Sequence, residues 1–234
     1  MNCRKCVFVF MLLGITTTLC VAQTWNATSD FAAQDPNGAW SYGYGVTGTS
    51  FTLYPTYNDN CAEIWGVGGF VCWSAEEYEN VPLVGFNTTG NWLDFITVVA
   101  PPNILIMHPA PNWEPADSIV QWTAPAAGNY RISGFFEICD IERTNPTIGL
   151  VYRNGTQLYS GTITGPPAQE PDQCGGRENF YFPSLALNAG DVISFGVNAD
   201  GNFYYGSTGF NAVIVTPPSA PACEICSQSG NPPQ

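Results

Sequence analysis

His108 is the chain's one histidine. A Ser–His–Asp or Cys–His device would have to pass its proton through that imidazole. No Gly-x-Ser-x-Gly elbow is present. Its place between Met107 and Pro109, at a strand end, fits a hydrogen-bonded structural residue. With no second histidine and no spare thiols at ligand spacing, zinc and copper are not expected. Carboxylates are the other route to proton transfer. A glycosidase needs two of them facing across a cleft, about 5–9.5 Å apart. Glu137, Asp140 and Glu142 are close in sequence. On a regular strand Asp140 and Glu142 share one face and Glu137 points the other way, so proximity alone makes no catalytic pair. No catalytic residue is assigned. Asp140 and Glu142 are instead the candidate calcium ligands, with loop carbonyls completing the six to eight oxygens that calcium takes. The Asp-x-Asp-x-Asp-Gly loop is missing, and the alternative is a solvated strand end. No other cofactor is expected.

Aromatic residues are the more suggestive set, at 14% of the chain with seven tryptophans. Trp40 and Trp122 sit in β-rich runs and belong in a core. Trp65, Trp73, Trp92 and Trp113 sit in polar, loop-like contexts. Exposed indole and phenol faces stack on the apolar faces of sugar rings, while Asn, Asp and Gln serve the hydroxyls. Trp73, Trp113, Tyr204 and Tyr205 are the candidate ligand platform. The alternative is that these rings fill space beneath long loops. Asn26, Asn87 and Asn154 head Asn-x-Thr sequons, the acceptor pattern for N-glycosylation. Chance alone accounts for such a number in a chain this rich in Asn and Thr.

The compartment follows from the first residues. Arg4 and Lys5 precede an apolar run from Val7 to Ile15, too short for the ~20 residues of a membrane span. Cys20-Val21-Ala22 then puts small residues where a signal peptidase cuts. The pattern predicts a signal peptide over 1–22; a lipobox at Cys20 fits less well because of Thr17 and Leu19. No later run is long and apolar enough to be a transmembrane helix. Beyond the leader the cationic residues are Arg131, Arg143, Arg153 and Arg177, and formal net charge over the whole chain is −13. Such a chain lacks the basic face that nucleic acid or an anionic membrane requires. Cysteines at 61, 72, 139, 174, 223 and 226 suggest up to three disulfides in an oxidising compartment. Order along the chain favours Cys61–Cys72, Cys139–Cys174 and Cys223–Cys226, out of 15 pairings.

No helical period persists beyond the leader. Short β-rich runs alternate with Gly, Pro, Asn and Asp, the mark of an all-β sandwich or barrel. Strands are expected at Trp40–Tyr44, Phe51–Tyr54, Phe95–Val99, Ile104–Met107, Ser118–Trp122, Tyr130–Phe136, Leu185–Leu187, Val192–Val197 and Phe210–Val215. Ile148–Tyr152 and Gln157–Ile163 flank Asn154-Gly155, the strongest hairpin signal. Cys61–Val81 reads as a long loop held by its own disulfide. The domain reading is a leader over 1–22, one β-sandwich over 23–216 and a disordered Pro-rich tail over 217–234.

Two resemblances enter here. Asp30-Phe31, Asn37-Gly38, Trp40-Ser41-Tyr42-Gly43, Trp92, His108-Pro109 and the run from Val120 to Tyr130, with Asn154-Gly155, Ala189-Gly190-Asp191 and Ser207-Thr208-Gly209, resemble an uncharacterised secreted domain of bacterial exported proteins. Many of those carry a PEP-CTERM sorting tail, which this chain lacks. The resemblance spans roughly residues 25–216 and implies export and fold rather than an activity. Thr123-Ala124-Pro125, Gly128-Asn129-Tyr130, Asn154-Gly155, Leu187–Asp191 and Ser207–Phe210 are also similar, in order and spacing, to complement-type and tumour-necrosis-factor-like jelly rolls. That likeness implies a two-sheet antiparallel jelly-roll sandwich and, by family habit, assembly as trimers, so a homo-oligomer is an open expectation.

Three functions compete. The leading expectation is a secreted, non-enzymatic module that binds an extracellular glycan or surface protein through loop aromatics. The second is a structural or adhesive surface protein acting by self-association. The third is a hydrolase of an extracellular polymer, which needs two opposed carboxylates.

Overall fold

The structure, a computed structural model, describes residues 22–75, 81–111, 116–142, 146–169 and 173–216. Residues 23–217 form one compact unit. Its strands are β1 (Thr24–Asn26), β2 (Trp40–Gly45), β3 (Thr52–Leu53), β4 (Thr56–Asn58), β5 (Phe70–Ser74), β6 (Leu83–Asn87), β7 (Leu93–Phe95) and β8 (Val98–Ala100). They continue with β9 (Leu105–His108), β10 (Asp117–Thr123), β11 (Gly128–Ile138), β12 (Thr147–Arg153), β13 (Thr156–Ile163), β14 (Arg177–Leu187), β15 (Val192–Asn198) and β16 (Thr208–Val215). A 3-10 turn covers Glu63–Trp65.

The strands form a two-sheet antiparallel jelly-roll sandwich. One sheet has eight strands in the order β14-β11-β16-β9-β6-β5-β4, with β1 also on β16; the other has six, β13-β12-β15-β10-β2-β3. Inward positions alternate with outward ones, as a pleated strand demands. Phe210, Ala212 and Ile214 of β16, Ile193, Phe195 and Val197 of β15, and Trp40, Tyr42 and Trp122 meet in the core between the sheets. At Asn154-Gly155 both residues take positive φ, 46° and 82°, and close the β12–β13 hairpin. Leu187 and Val192, by contrast, lie in different sheets, so the Asn188–Asp191 turn carries the chain across the sandwich.

Two local expectations change. Cys61–Val81 is not all loop, because Phe70–Ser74 is a fully buried strand between β4 and β6. Its sequence hides the alternation: Trp73 packs in the sandwich core while Phe70 and Cys72 pack in the outer layer, and Val71, also buried, leaves no polar face. Phe95–Val99 is not one strand but a hairpin, turning at Ile96-Thr97 between β7 and β8. This hairpin belongs to a second, smaller core on the outer face of the eight-stranded sheet. Phe70, Ile106, Phe95, Ala100 and Ile104 pack there. The Cys61–Cys72 and Cys139–Cys174 disulfides are both formed, and both belong to this outer layer. Cys223 and Cys226, the leader up to Val21 and the tail from Pro217 lie outside the described residues.

Candidate functional site

Period-two alternation places the floor of a pocket on this outer face. Phe70 of β5, Leu83 of β6, and Ile106 and His108 of β9 all point outward from adjacent strands and line it. Gly85 makes the floor close-fitting, since any Cβ there would run into the Phe70 ring. The sides come from the 3-10 turn, the β7–β8 hairpin, the residue that follows Cys139, and the loop between β15 and β16. Val98 and Asp140 form an isolated antiparallel bridge, and the Val99 and Ile141 amides bond the Cys139 and Thr97 carbonyls. Those bonds hold the hairpin against the chain leaving β11. The enclosed volume is about 340 Å³, within the usual range for a small-ligand site.

Two groups of rings line the pocket. Trp65 stacks on Phe95 with centroids 5.7 Å apart and planes at 11°, and Phe95 meets Phe70 at 4.9 Å. Phe203 lies 4.3 Å from Tyr204 and meets the His108 imidazole edge-on at 6.1 Å. Trp65, at 40% exposure, Tyr204, at 55%, and the exposed Ile96 make an apolar rim open to water. Backbone strain gathers at the same place. Among the described residues four non-glycine residues have positive φ, and two of them, Ile96 (54°) and Tyr205 (58°), line this pocket. A β-branched residue there is a genuine outlier, and such outliers cluster at functional sites.

The polar groups are few. Asp140, only 2% exposed, accepts the Glu142 amide at 3.1 Å and hydrogen bonds from the Thr97 and Ser207 side chains. Burial is the larger influence and pushes its carboxyl up to about 6, with nearby Glu142 adding in the same direction. His108 is held below the ordinary histidine range by burial, against the Pro109 carbonyl 2.9 Å from Nδ1. That carbonyl can only accept, so Nδ1 carries the proton and Nε2 is left with its lone pair. The Tyr205 phenol bonds the exposed Glu142 carboxylate, which raises its pKa.

The residues singled out from sequence divide accordingly. Tyr204, Tyr205 and Asp140 come together in one pocket, with Glu142 bonded to Tyr205. Trp73 does not join them. It is 9% exposed, packs in the sandwich core against Tyr57 and donates from Nε1 to the Ala32 carbonyl. An indole on the inward face of a central strand has no face left for a ligand, so Trp73 is corrected from platform to core. Trp113 lies outside the described residues. Trp65, absent from that platform, lines the pocket instead; its Gly66-x-Gly68-Gly69 sequel (Gly66 at φ 75°) is the signal that it ends a turn rather than fills a strand.

Asp140 and Glu142 gather no third Asp, Glu, Cys or His at metal spacing among the described residues. The group that does, Glu137 with Cys139 and Cys174, has its two sulfurs joined in a disulfide. Asn87 is also corrected as a glycan acceptor. It is 1% exposed, and both Nδ2 hydrogens are spent on the carbonyls of Asn91 and Ala100, at 2.6 and 2.7 Å. Asn26 is half-buried and turns its Oδ1 to the amides of Thr28 and Ser29. Asn154 stands exposed at its hairpin tip.

The chain matches no family model, and no curated protein matches it, so the resemblance to the bacterial exported domain gains no support there. Solved structures match over part of the chain. Rabbit GITRL has a TM-score of 0.30 at 18% identity, covering 42% of this chain and 70% of that one. A family 35 carbohydrate binding module from an environmental isolate has a TM-score of 0.29 at 18% identity, covering 46% of this chain and 70% of its own. The catalytic domain of a GH87 alpha-1,3-glucanase in complex with nigerose has a TM-score of 0.29 at 14% identity, and the match spans 22% of its length. These are partial likenesses of strand layout, and the function of this chain has to be argued from its own residues.

Proposed function

We propose that this chain is a secreted, non-enzymatic binding module that takes the terminal sugar of an extracellular glycan into the pocket on the outer face of its eight-stranded sheet. The observation that carries the reading is the pocket itself. Stacked rings line about 340 Å³, with solvent-exposed Trp65 and Tyr204 at the mouth and a small polar set within. Flat rings bind the apolar faces of a pyranose, and a few fixed polar groups orient its hydroxyls. Among the described residues the lining holds Asp140 as its one carboxylate, whereas glycoside hydrolysis uses two. Secretion is supported by the leader pattern over 1–22 and by disulfides of the kind an oxidising compartment maintains. No helix among the described residues is long and apolar enough to cross a membrane.

The test is a broad glycan array followed by titration calorimetry on the best binder. Trp65→Ala and Tyr204→Ala, both at exposed positions, are each expected to weaken binding about tenfold or more, by the ~1–3 kcal/mol of a lost ring contact. Their melting temperatures should match the parent. A protein that binds nothing on the array and nothing in a polysaccharide pull-down overturns the proposal.

A further inference from the structure

We propose that the sugar this pocket selects is an amino sugar with a free, protonated amine, its ammonium seated on the Asp140 carboxylate. The inference rests on the glycan-binding reading and names the class of glycan. It begins from a missing partner. Buried charges in proteins are paired as a rule, and Asp140 is almost wholly buried. Its bonds come from neutral donors: the Glu142 amide, the Thr97 side chain and the Ser207 side chain. A carboxylate offers about four lone-pair positions, so among the described residues three are filled and one remains for a ligand donor.

No cation of the protein supplies it among the described residues. Arg153 pairs with Asp191, and Arg177 with Glu137. Arg131 stands near the far end of β11, across from Val215. The charged and titratable groups that do face Asp140 are Glu142, Tyr205 and, across the pocket lining, His108. Glu142 is an anion, and burial lowers the His108 pKa, favouring its neutral form. None of the three repels an ammonium, and Glu142 attracts one.

The walls agree with that charge. Trp65, Phe95, Phe203 and Tyr204 present ring systems whose negative faces attract a cation, and they stack on the apolar faces of the same sugar. The formal charge of −13 favours cationic ligands at longer range. A primary ammonium supplies both the charge and the N–H donor that the fourth position takes. An acetylated amine is a donor without the charge, and a uronic acid brings a second anion beside the first. Calcium takes six to eight oxygens, and among the described residues the lining offers Asp140 as its one carboxylate.

The experiment compares β-1,4-linked oligomers of glucosamine, N-acetylglucosamine and glucose of equal length, titrated into the folded protein at pH 6.5. The glucosamine oligomer is expected to bind at least about tenfold more tightly than the other two, the scale of one charge-assisted hydrogen bond. Asp140→Asn should erase that preference. The native protein gives an independent readout should that variant fold poorly. As pH falls from 6.5 to 4.5 the amine gains charge while Asp140 takes up a proton, so a glucosamine preference that depends on the carboxylate should shrink toward unity. Protonation of His108 acts in the same direction.

Equal binding of all three oligomers overturns the amino-sugar assignment and leaves the glycan-binding reading standing. Binding of none of them, together with a blank array, overturns both. Choline binding as tightly as the glucosamine oligomer would make this a site for organic cations in general and overturn the assignment to a sugar. Arg143 lies outside the described residues, so Arg143→Gln is included. The preference should survive that change. A preference that appears only in Arg143→Gln would mean that Arg143 is the partner of Asp140, and would overturn the proposal.

Discussion

Trp65 and Trp73 stand eight positions apart and do opposite work. Trp65 leaves a 3-10 turn and shows one face to water; Trp73 sits on the inward face of β5 and bonds a backbone carbonyl through its indole N–H. Removing each should therefore register differently. Trp73→Ala opens a cavity in the sandwich core and orphans the Ala32 carbonyl, at a cost of about 3–5 kcal/mol. Chemical denaturation of Trp73→Ala is expected to show that loss, whereas Trp65→Ala should move the midpoint little. A Trp73→Ala protein as stable as its parent, but unable to bind glycan, would return Trp73 to the ligand site. The same distinction applies to the asparagines. Asn87 ties β6 to the ends of the hairpin through its own amide hydrogens, a use of Nδ2 that a glycan would break.

At the scale of elements, the site depends on one short segment. The stretch from Cys61 to Ser74 supplies Trp65, Phe70 and Cys61 to the pocket, and Cys61–Cys72 closes it across a separation of 11 residues. Cys139–Cys174 closes a separation of 35 and anchors the stretch just before Asp140. Loop-closure entropy sets the stabilisation at about 3 kcal/mol for the shorter loop and about 4 kcal/mol for the longer. The double variant Cys61→Ser/Cys72→Ser is expected to lose roughly that amount in calorimetry and to weaken ligand binding as well, because the released turn carries Trp65. Unchanged affinity in a protein with that bond removed would show that the turn is held by ring packing alone.

For the whole molecule, the relevant quantity is net charge together with where its anions are buried. Burial pushes Asp140 and Asp35 each up to about 6 from an ordinary value of 3.8. At Asp35 the Tyr42 amide opposes that shift, while Oδ2 has no hydrogen-bond partner among the described residues. Both carboxyls hold a proton more tightly folded than unfolded. Their contribution to stability is therefore complete below pH 3.8 and is lost as pH rises through about 6. For Asp140 the difference amounts to about 3 kcal/mol at most. Relief of repulsion among the excess acids adds to it on the way down. His108 opposes, since its lowered pKa means that the unfolded chain takes up that proton first. The melting temperature is expected to rise from pH 7.5 to pH 5, and Asp140→Asn should flatten the rise. A melting curve that falls over this range and is indifferent to Asp140→Asn would contradict the burial argument.

Local chemistry determined the architecture. Period-two runs set the strands, Asn154-Gly155 set the β12–β13 hairpin because both its residues tolerate positive φ, and short chain separations paired Cys61 with Cys72 and Cys139 with Cys174. Tyr204, Tyr205 and Asp140 were legible as candidates because rings and acids stand out in loops. Their meeting was not legible. Trp65, Phe95, His108, Asp140 and Phe203 share no sequence neighbourhood, and the strand pairings β5–β6 and β6–β9 are what bring Phe70, Leu83, Ile106 and His108 onto one face. Trp73 was misread for a related reason. A strand with both faces buried shows no alternation, so which of its rings turns to the sandwich core and which to the outer pocket is decided by the second layer packed upon it.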